Sequence, residues 1–246
     1  MQLKPRPLLC ELHAHTTWSD GALSLTELVD LYGRHGFDVL CVTDHVVRDG
    51  NAHVHAGNYA AYLGAIHAES VRARAMYDLL LIPGVELTYD DPDPRLAAHA
   101  VAVGLRELPS LANGLEPALR RARAAGAALV AAHPIAVPEA ATCHRATARW
   151  HAEPELAELV DRFELFNRHT LYGWVADGGL PVVASGDFHR PEHLATWKTM
   201  LPCAKEERAV VEYLQAGLPT YLAPLGYAAA AVRATAERAS ASITAA

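Results

Sequence analysis

The sequence lacks the features that mark several large classes of proteins. None of its apolar stretches approaches the roughly 18–20 residues that a membrane-spanning helix needs. The apolar run Pro7–Cys10 stops at Glu11 and is too short for the core of a signal peptide. Its four cysteines lie far apart without a C-x-x-C pair, which is typical of reduced thiols. We therefore expect a cytoplasmic protein that does not bind membranes.

Excess positive charge is also absent. The chain has 21 Lys and Arg residues against 28 Asp and Glu residues, and its net charge is -7 with histidine neutral. Without a basic patch we expect no stable binding to nucleic acids. Neither G-x-G-x-x-G nor G-x-x-x-x-G-K-[ST] occurs, which disfavours a nucleotide cradle of either kind. Histidine, in contrast, is abundant, with 14 residues.

Short apolar runs alternate with helical patterns along the 246 residues. Apolar residues dominate each run, as in strands that are buried on both faces of a parallel sheet. The alternation predicts βαβ units in an α/β fold, and seven strands suit a TIM-like barrel better than a doubly wound sheet. The predicted strands are Leu8–His13, Val39–Thr43, Leu79–Ile82, Ala98–Gly104, Ala128–Ala132, Arg162–Phe166 and Pro181–Ala184.

The helical patterns and the end of the chain complete this prediction. Ser24 and Glu27 form a capping box before the first helix. The predicted helices are Leu25–Gly36, Tyr59–Asp78, Glu116–Ala125, Glu155–Asp161 and Glu206–Ala216, the last flanked by edge strands at Trp197–Pro202 and Thr220–Leu222. We expect one barrel domain over residues 1–226. The Ala-rich tail, residues 227–246, is either a surface helix or disordered.

Histidine and carboxylate side chains gather where the predicted strands end. His13 and His15 are two positions apart and therefore point to the same side of a strand. In parallel barrels, functional groups cluster at the carboxyl ends of the strands. Histidine nitrogens with carboxylates suit zinc, manganese or iron better than calcium or magnesium. The residues at these places are His13, His15, Asp20, His45, Glu86, His99, His133, Asp187 and His189.

Five segments carry a family resemblance: H-A-H-T-T-W-S-D-G, V-T-D-H, P-G-V-E, A-A-H-P and S-G-D-F-H, in this order. Over about residues 8–222 the chain resembles the polymerase and histidinol phosphatase (PHP) superfamily. The resemblance implies a distorted seven-stranded β/α barrel, (β/α)7, with a trinuclear metal centre. It implies that His13, His15 and Asp187 hold one metal, that Glu86 bridges it to a second held by His99 and His133, and that Asp20, His45 and His189 hold a third. Asp187, Glu86 and His189 are the predicted catalytic residues.

Three divalent ions and three carboxylates would leave the centre at about +3, which favours a phosphorylated substrate, and neighbouring metals generate a bridging hydroxide. We therefore expect a metal-dependent phosphoesterase that acts on a small phosphorylated metabolite or nucleotide, as a monoester or a diester. Two alternatives remain open. One is a metal-dependent amidohydrolase or deacetylase, because the same hydroxide attacks carbonyls. The other is a metal-binding regulatory module whose catalysis has lapsed.

Residues near the mouth of the predicted barrel are candidates for substrate contacts. A guanidinium group binds two phosphate oxygens at once. We expect the substrate phosphate to contact at least one of four arginines: Arg145, Arg149, Arg168 and Arg190. Asp44 either orients a histidine ring or caps local backbone. Asn167 matches a position of the family near the pocket, although it also suits a turn at the end of a strand.

Overall fold

A computed structural model describes residues 6–48, 51–93, 95–136 and 147–226. Arg145 and the tail at residues 227–246 lie outside these ranges, so the predictions for them stay predictions. The strands are β1 (Leu8–Glu11), β2 (Val39–Val42), β3 (His45–Val47), β4 (Leu80–Tyr89), β5 (Ala98–Val103), β6 (Ala128–Ala132), β7 (Arg162–Asn167), β8 (Thr170–Leu171), β9 (Val182–Ser185), β10 (Trp197–Leu201) and β11 (Tyr221–Pro224). The helices are α1 (Leu25–Arg34), α2 (Tyr59–Tyr77), α3 (Leu115–Ala124), α4 (Arg149–Ala152), α5 (Pro154–Ala157), α6 (Gly173–Asp177) and α7 (Glu207–Gln215).

Local sequence explains where the first helix begins and which side it buries. The Ser24 side chain accepts a hydrogen bond from the Glu27 backbone, and the Glu27 carboxylate accepts one from the Ser24 backbone, which confirms the capping box. Leu25, Leu28 and Tyr32 recur at helical spacing and are buried. The same face also buries Val29, so α1 places one apolar stripe in the core and packs beside α2.

The strands form one mixed sheet in the order β11-β10-β1-β2-β4-β5-β6-β7-β8, with β3 also pairing with β4 and β9 with β7. Parallel pairs join β1 to β2, β2 to β4, β6 to β7 and β7 to β9. β5 runs antiparallel to both β4 and β6. The expectation of a parallel sheet is therefore wrong at β5. Only residues 90–97 separate β4 from β5, which is shorter than the crossover of a dozen or more residues that a parallel connection requires.

The sheet curls so that its first strand approaches its last parallel strand. The His15 backbone N–H donates to the Phe188 carbonyl at 2.8 Å, and the Phe188 N–H donates to the His13 carbonyl at 3.1 Å. Ala14 and Phe188 thus form a parallel bridge just beyond β1 and β9. The result is a mixed α/β fold with a curled sheet, with which a TIM-like barrel is consistent.

Helices cover this sheet over two buried apolar clusters. The larger contains residues from α1, α2 and α3, and the smaller joins β1, β2 and β6 to α7. In the ranges that the structure describes, no helix combines the length and apolar character needed to cross a bilayer. The last predicted strands and helix are present, but β10 lies between β1 and β11 and is not an edge strand.

Candidate metal centre

All nine residues that the sequence singled out as metal ligands come together in the folded chain. They fall into three groups whose possible ligand atoms lie within 4.8 Å of one another. The groups are His13, His15 and Asp187; Glu86, His99 and His133; and His15, Asp20, His45 and His189. The grouping follows the predicted three sets, with His15 also reaching the third.

Most of these residues lie at or just beyond the end of a strand, whereas Glu86 lies inside β4 and His99 is the second residue of β5. His13 and His15 follow β1, and Ala14 between them is held by the Thr43 hydroxyl, which accepts from the Ala14 N–H at 2.9 Å. The two imidazole rings therefore point to one side, with their centroids 5.0 Å apart. His133 follows β6, and Asp187 lies beyond the end of β9. Separate parts of the sequence thus converge because neighbouring strands end at one edge.

Glu86 lies at the middle of the cluster. Its Oε1 is 3.0 Å from Nδ1 of His99 and 3.2 Å from Nε2 of His133. Its Oε2 is 3.4 Å from Nε2 of His13 and 3.5 Å from Nε2 of His15. One buried carboxylate therefore faces two groups at once, which is the geometry that a bridging ligand needs.

Three buried donor atoms in this cluster show whether its chemistry fits a metal ion. Nε2 of His13 and Nε2 of His15 are buried and have no hydrogen-bond partner. Oε2 of Glu86, which lies 3.4 and 3.5 Å from these nitrogens, is also buried, and Nδ1 of His45 is 2.8 Å from it. A buried polar atom without a partner is costly, and most such atoms in native proteins have an explanation such as a bound ion. Two imidazole nitrogens and a carboxylate oxygen are ligands that transition metals prefer. The donor set therefore fits a divalent transition metal.

The charges of the cluster are strongly coupled. Burial raises the pKa of Glu86, but the neighbouring His45 and His13 outweigh it and hold that pKa well below its ordinary value. Burial lowers the pKa of His45, yet Glu86 and Asp20 raise it to about 9. Burial and the charge of His45 lower the pKa of His15 to about 3. The carboxylates and imidazoles of the cluster therefore stabilise one another's charged forms, and positive charge at this place comes from protons or from bound metal ions.

Glu164 contacts the cluster, and the sequence analysis did not single it out. Its Oε1 is 2.9 Å from Nδ1 of His13, and its Oε2 accepts from the His133 backbone N–H at 2.7 Å. Asn167 donates to the same oxygen at 2.8 Å, and the Ser185 hydroxyl donates to Oε1. One carboxylate thus orients a ring and a backbone segment of the cluster. A glutamate in the middle of the apolar run Arg162–Phe166 was the available signal.

Other polar side chains fix the remaining rings. Nδ1 of His45 is 2.8 Å from the Thr88 hydroxyl, which leaves its Nε2 facing Asp20 at 3.3 Å. Nε2 of His99 is 2.8 Å from a carboxylate oxygen of Asp90, so its Nδ1 faces Glu86. Such contacts select the tautomer and the ring orientation.

The Asp44 carboxylate binds the loop after β1. It accepts from the Thr16 N–H and the Thr16 hydroxyl, each at 2.8 Å, and from the Ser19 hydroxyl at 2.6 Å. Ser19 in turn lies 3.5 Å from Nδ1 of His15. Of its two predicted roles, the structure therefore favours local backbone capping. Asn167 lies beside the cavity, as predicted.

A cavity of about 750 Å³ opens over the cluster and is lined by Asp20, Glu86, His133, Asp187 and His189, among others. Of the four predicted arginines, Arg168 and Arg190 line it. Nη2 of Arg168 is 3.1 Å from Oδ2 of Asp187. Arg149 instead pairs with Glu153 at 2.9 Å, and it is not among the described residues that line the cavity. A groove of about 710 Å³ between α2 and α7 contains none of the nine cluster residues.

Three residues at this edge adopt backbone angles that side chains other than glycine rarely adopt. The φ angles are 32° at His133, 53° at Arg168 and 41° at Asp187. Each left-handed residue costs of order 1–3 kcal/mol, and such strain concentrates at functional sites. The strain marks the same strand ends as the histidine and carboxylate pattern.

The sequence is similar to that of a known phosphatase. Over 199 residues the chain is 29% identical to the 3′,5′-nucleoside bisphosphate phosphatase of Chromobacterium violaceum, covering 76% of this chain and 61% of that protein. The chain thus spans less than two thirds of the length of this relative.

Solved structures show the same fold. A two-domain protein of Bacteroides vulgatus, for which a PHP-like metal-dependent phosphoesterase is predicted, superposes with a TM-score of 0.63 at 20% identity, over 91% of this chain and 69% of that one. An amidohydrolase of Chromobacterium violaceum with bound sulfate superposes with a TM-score of 0.54 at 16% identity, over 89% and 99% of the two chains. The family model for the PHP domain matches residues 11–157, which is more than half of the chain. The chain belongs to the PHP domain family.

Proposed function

We propose that this protein is a metal-dependent phosphoesterase that hydrolyses a small phosphorylated metabolite or nucleotide. The observation that carries the proposal is the convergence of Nε2 of His13 and Nε2 of His15, both buried and without hydrogen-bond partners, on Oε2 of Glu86 at 3.4 and 3.5 Å. They lie beside a cavity of about 750 Å³, large enough for a nucleotide-sized ligand.

The three groups of side chains support a centre of up to three divalent ions, manganese, iron or zinc. In this proposal one ion is held by His13, His15 and Asp187, a second by Glu86, His99 and His133, and a third by Asp20, His45 and His189. Bound there, the ions supply Lewis acidity to a phosphoryl oxygen and an activated water near neutral pH. Because three carboxylates offset only half of six positive charges, the loaded site would attract an anionic substrate.

Residues of the chain would bind and orient that substrate. Arg190 lines the cavity and presents a guanidinium group, which matches phosphate oxygens. Arg168 lines the same cavity and holds the Asp187 carboxylate and carbonyl, with Nη2 3.0 Å from the carbonyl oxygen. Arg168 therefore fixes a proposed ligand and also faces the place where a phosphate would lie.

The 3′,5′-nucleoside bisphosphate phosphatase relative suggests where to begin a substrate search. A nucleoside 3′,5′-bisphosphate carries two dianionic groups, which suits a cationic centre flanked by arginines. We propose this substrate class first, with other phosphomonoesters and phosphodiesters as the comparison.

The test is a reconstitution experiment with a substrate panel. The purified protein is stripped of metal, reloaded separately with Mn²⁺, Fe²⁺ or Zn²⁺, and analysed for metal content. Each form is assayed on nucleoside 3′,5′-bisphosphates, nucleoside 5′-monophosphates, bis(p-nitrophenyl) phosphate and a set of N-acetylated amines. We expect phosphate release from at least one phosphoester only in the metal-loaded forms. Hydrolysis of amides alone would support the amidohydrolase alternative and overturn the proposal, as would a fully loaded protein with no hydrolytic activity.

A further inference from the structure

An ion pair lies buried beside the proposed metal centre without belonging to it. Nζ of Lys198 is 2.8 Å from Oε2 of Glu11, and both side chains are 0% exposed. Glu11 is the last residue of β1, two positions before His13, and Lys198 lies in the neighbouring strand β10. The sequence analysis assigned no role to either residue.

Every acceptor position of the Glu11 carboxylate is used. Oε1 accepts from the His13 backbone N–H at 3.2 Å and from the Gly186 backbone N–H at 2.8 Å. Oε2 accepts from the Tyr32 hydroxyl at 2.9 Å as well as from Lys198. A carboxylate offers about four such positions. Its Oε1 therefore ties together the two backbone segments that carry His13 and Asp187.

Lys198 is equally well satisfied. Besides Glu11, its ammonium group donates to the Thr196 hydroxyl at 2.7 Å and to the His193 carbonyl at 3.3 Å. Those three acceptors match the three protons of an ammonium group. Lys198 thus fixes the Glu11 carboxylate in place and neutralises it.

Gly186 shows how closely the backbone approaches this pair. A Cβ atom at position 186 would lie 2.5 Å from Oε2 of Glu11 and 2.5 Å from Nζ of Lys198. Any side chain at this position would push the segment before Asp187 away from the carboxylate. The close approach requires glycine.

Stability alone is a poor reason for such a pair. Burying two charges is costly, and replacing both members of a buried pair with apolar residues is often neutral or stabilising. The contacts that such a replacement would lose here are the two backbone N–H anchors on Oε1. Those anchors connect β1 to the segment beyond β9. Across the same junction, Nε2 of His13 and Nε2 of His15 lie 3.6 and 3.4 Å from Oδ1 of Asp187.

We propose that Glu11, held by Lys198, is a positioning residue that sets the distance between the His13 and Asp187 segments and so preorganises the first metal position. This inference rests on the proposed function, because it assumes that these residues bind a metal. If the inference is correct, metal affinity depends on the hydrogen-bond acceptor at Oε1 of Glu11 and not on the charges of Glu11 and Lys198.

Two double variants separate the acceptor from the charge. Glu11→Gln with Lys198→Met removes both charges but keeps an amide oxygen that accepts from both backbone N–H groups. Glu11→Leu with Lys198→Met removes both charges and the acceptor. For each metal-free protein we would measure the free energy of unfolding in urea, the dissociation constant for Mn²⁺, and the visible absorption spectrum after loading with Co²⁺.

The Leu/Met variant is expected to bind Mn²⁺ about 10- to 100-fold more weakly than the wild type, as for other groups that orient metal ligands. Its Co²⁺ spectrum is expected to shift. The Gln/Met variant is expected to keep the wild-type affinity and spectrum. Equal affinities and spectra for both variants and the wild type would overturn the inference and leave the proposed function intact. A wild-type protein that binds no metal would instead overturn the proposed function.

A second route covers the case in which the Leu/Met variant does not fold. Gly186→Ala keeps Glu11 and Lys198 and displaces only the anchored segment. It is expected to weaken Mn²⁺ binding and shift the Co²⁺ spectrum in the same direction. Gly173, where a Cβ atom meets nothing within 4 Å, gives the matched control Gly173→Ala. Unchanged binding in Gly186→Ala would contradict the inference.

Discussion

Asp187 contacts more of the proposed centre than its position after a strand suggests. Its carboxylate faces both His13 and His15, and Arg168 and His189 also lie against it. Its backbone is strained, with a φ of 41°. A residue held against strain by several partners is poised for binding, because its geometry is set before a ligand arrives.

We expect Asp187→Ala to lower kcat by about three orders of magnitude or more, since it removes a proposed ligand from a metal centre. Steady-state kinetics with elemental analysis would measure this loss and the bound metal. A thermal melt of the variant shows whether the fold persists. Near-normal turnover with fewer than three bound metals would contradict the trinuclear proposal.

Glu164 contacts proposed metal ligands but is not itself a proposed ligand, so its role can be tested separately. We expect Glu164→Gln to weaken metal binding by about 10- to 100-fold, because it loses the charge that orients the His13 ring. Titration of the metal-free protein with Mn²⁺ measures this change. Glu155→Gln, at an exposed position of α5, is the control. Equal affinities in the two variants would show that Glu164 has no such role.

Arg190 tests the substrate contacts. It is exposed and lines the cavity, whereas Arg149 is paired with Glu153. We expect Arg190→Ala to raise KM about tenfold or more, in line with the loss of a hydrogen bond to a charged group, and Arg149→Ala to change it little. Michaelis constants on the best phosphoester decide between them. A larger rise of KM in Arg149→Ala than in Arg190→Ala would contradict this placement of the substrate.

The sequence was sufficient to predict the proposed ligands but not the residues around them. His13 and Asp187 lie just beyond strand ends, where a polar pattern is visible in the sequence. Glu86 follows a Pro-Gly pair, although the structure places it inside β4. Glu164 contacts His13 across a sequence separation of 151 positions, so its partner is invisible without the fold. Lys198 is a charged residue in a predicted edge strand, where solvent exposure is the ordinary expectation. In the structure β10 pairs with both β1 and β11, and Lys198 is buried.

Among the elements, helix α1 follows its sequence signal closely and allows a quantitative test. We expect Ser24→Ala to lower the free energy of unfolding by about 1 kcal/mol, because it removes the cap of the first turn. Urea unfolding of the metal-free protein measures the change. Thr26→Ala, at an exposed position of the same helix, is the control. An unchanged midpoint for Ser24→Ala would mean that the capping box contributes nothing to folding.

Strand direction was harder to predict than strand position. All seven predicted strands have counterparts in the structure, yet β5 is reversed. Apolar runs report burial on both faces and carry no information on direction. The connection before β5 is short only because β4 extends to Tyr89, beyond its predicted end at Ile82, so the predicted strands gave no signal of the reversal. The helix predicted at Glu155–Asp161 is reduced to Pro154–Ala157, since local periodicity cannot show where a chain must turn into β7.

For the molecule as a whole, metal and stability should be linked. The buried atoms without partners penalise the metal-free fold, and a ligand that binds only the folded state stabilises it by about 2.7 kcal/mol at a concentration of 100 times its dissociation constant. We expect chelation to lower Tm and re-addition of the preferred metal to restore it. Differential scanning calorimetry measures both. A Tm independent of metal would contradict the proposed centre.

The bridge between Ala14 and Phe188 also has a consequence for biosynthesis. The Glu11 anchor reaches Gly186 across 175 positions, and a ribosome needs on the order of ten seconds to add that many residues at about 5–20 per second. His13 and His15 are therefore synthesised well before Asp187, and the proposed first metal position cannot assemble until Asp187 has been added. In this proposal, loading of that position is therefore a late event in the synthesis of the chain.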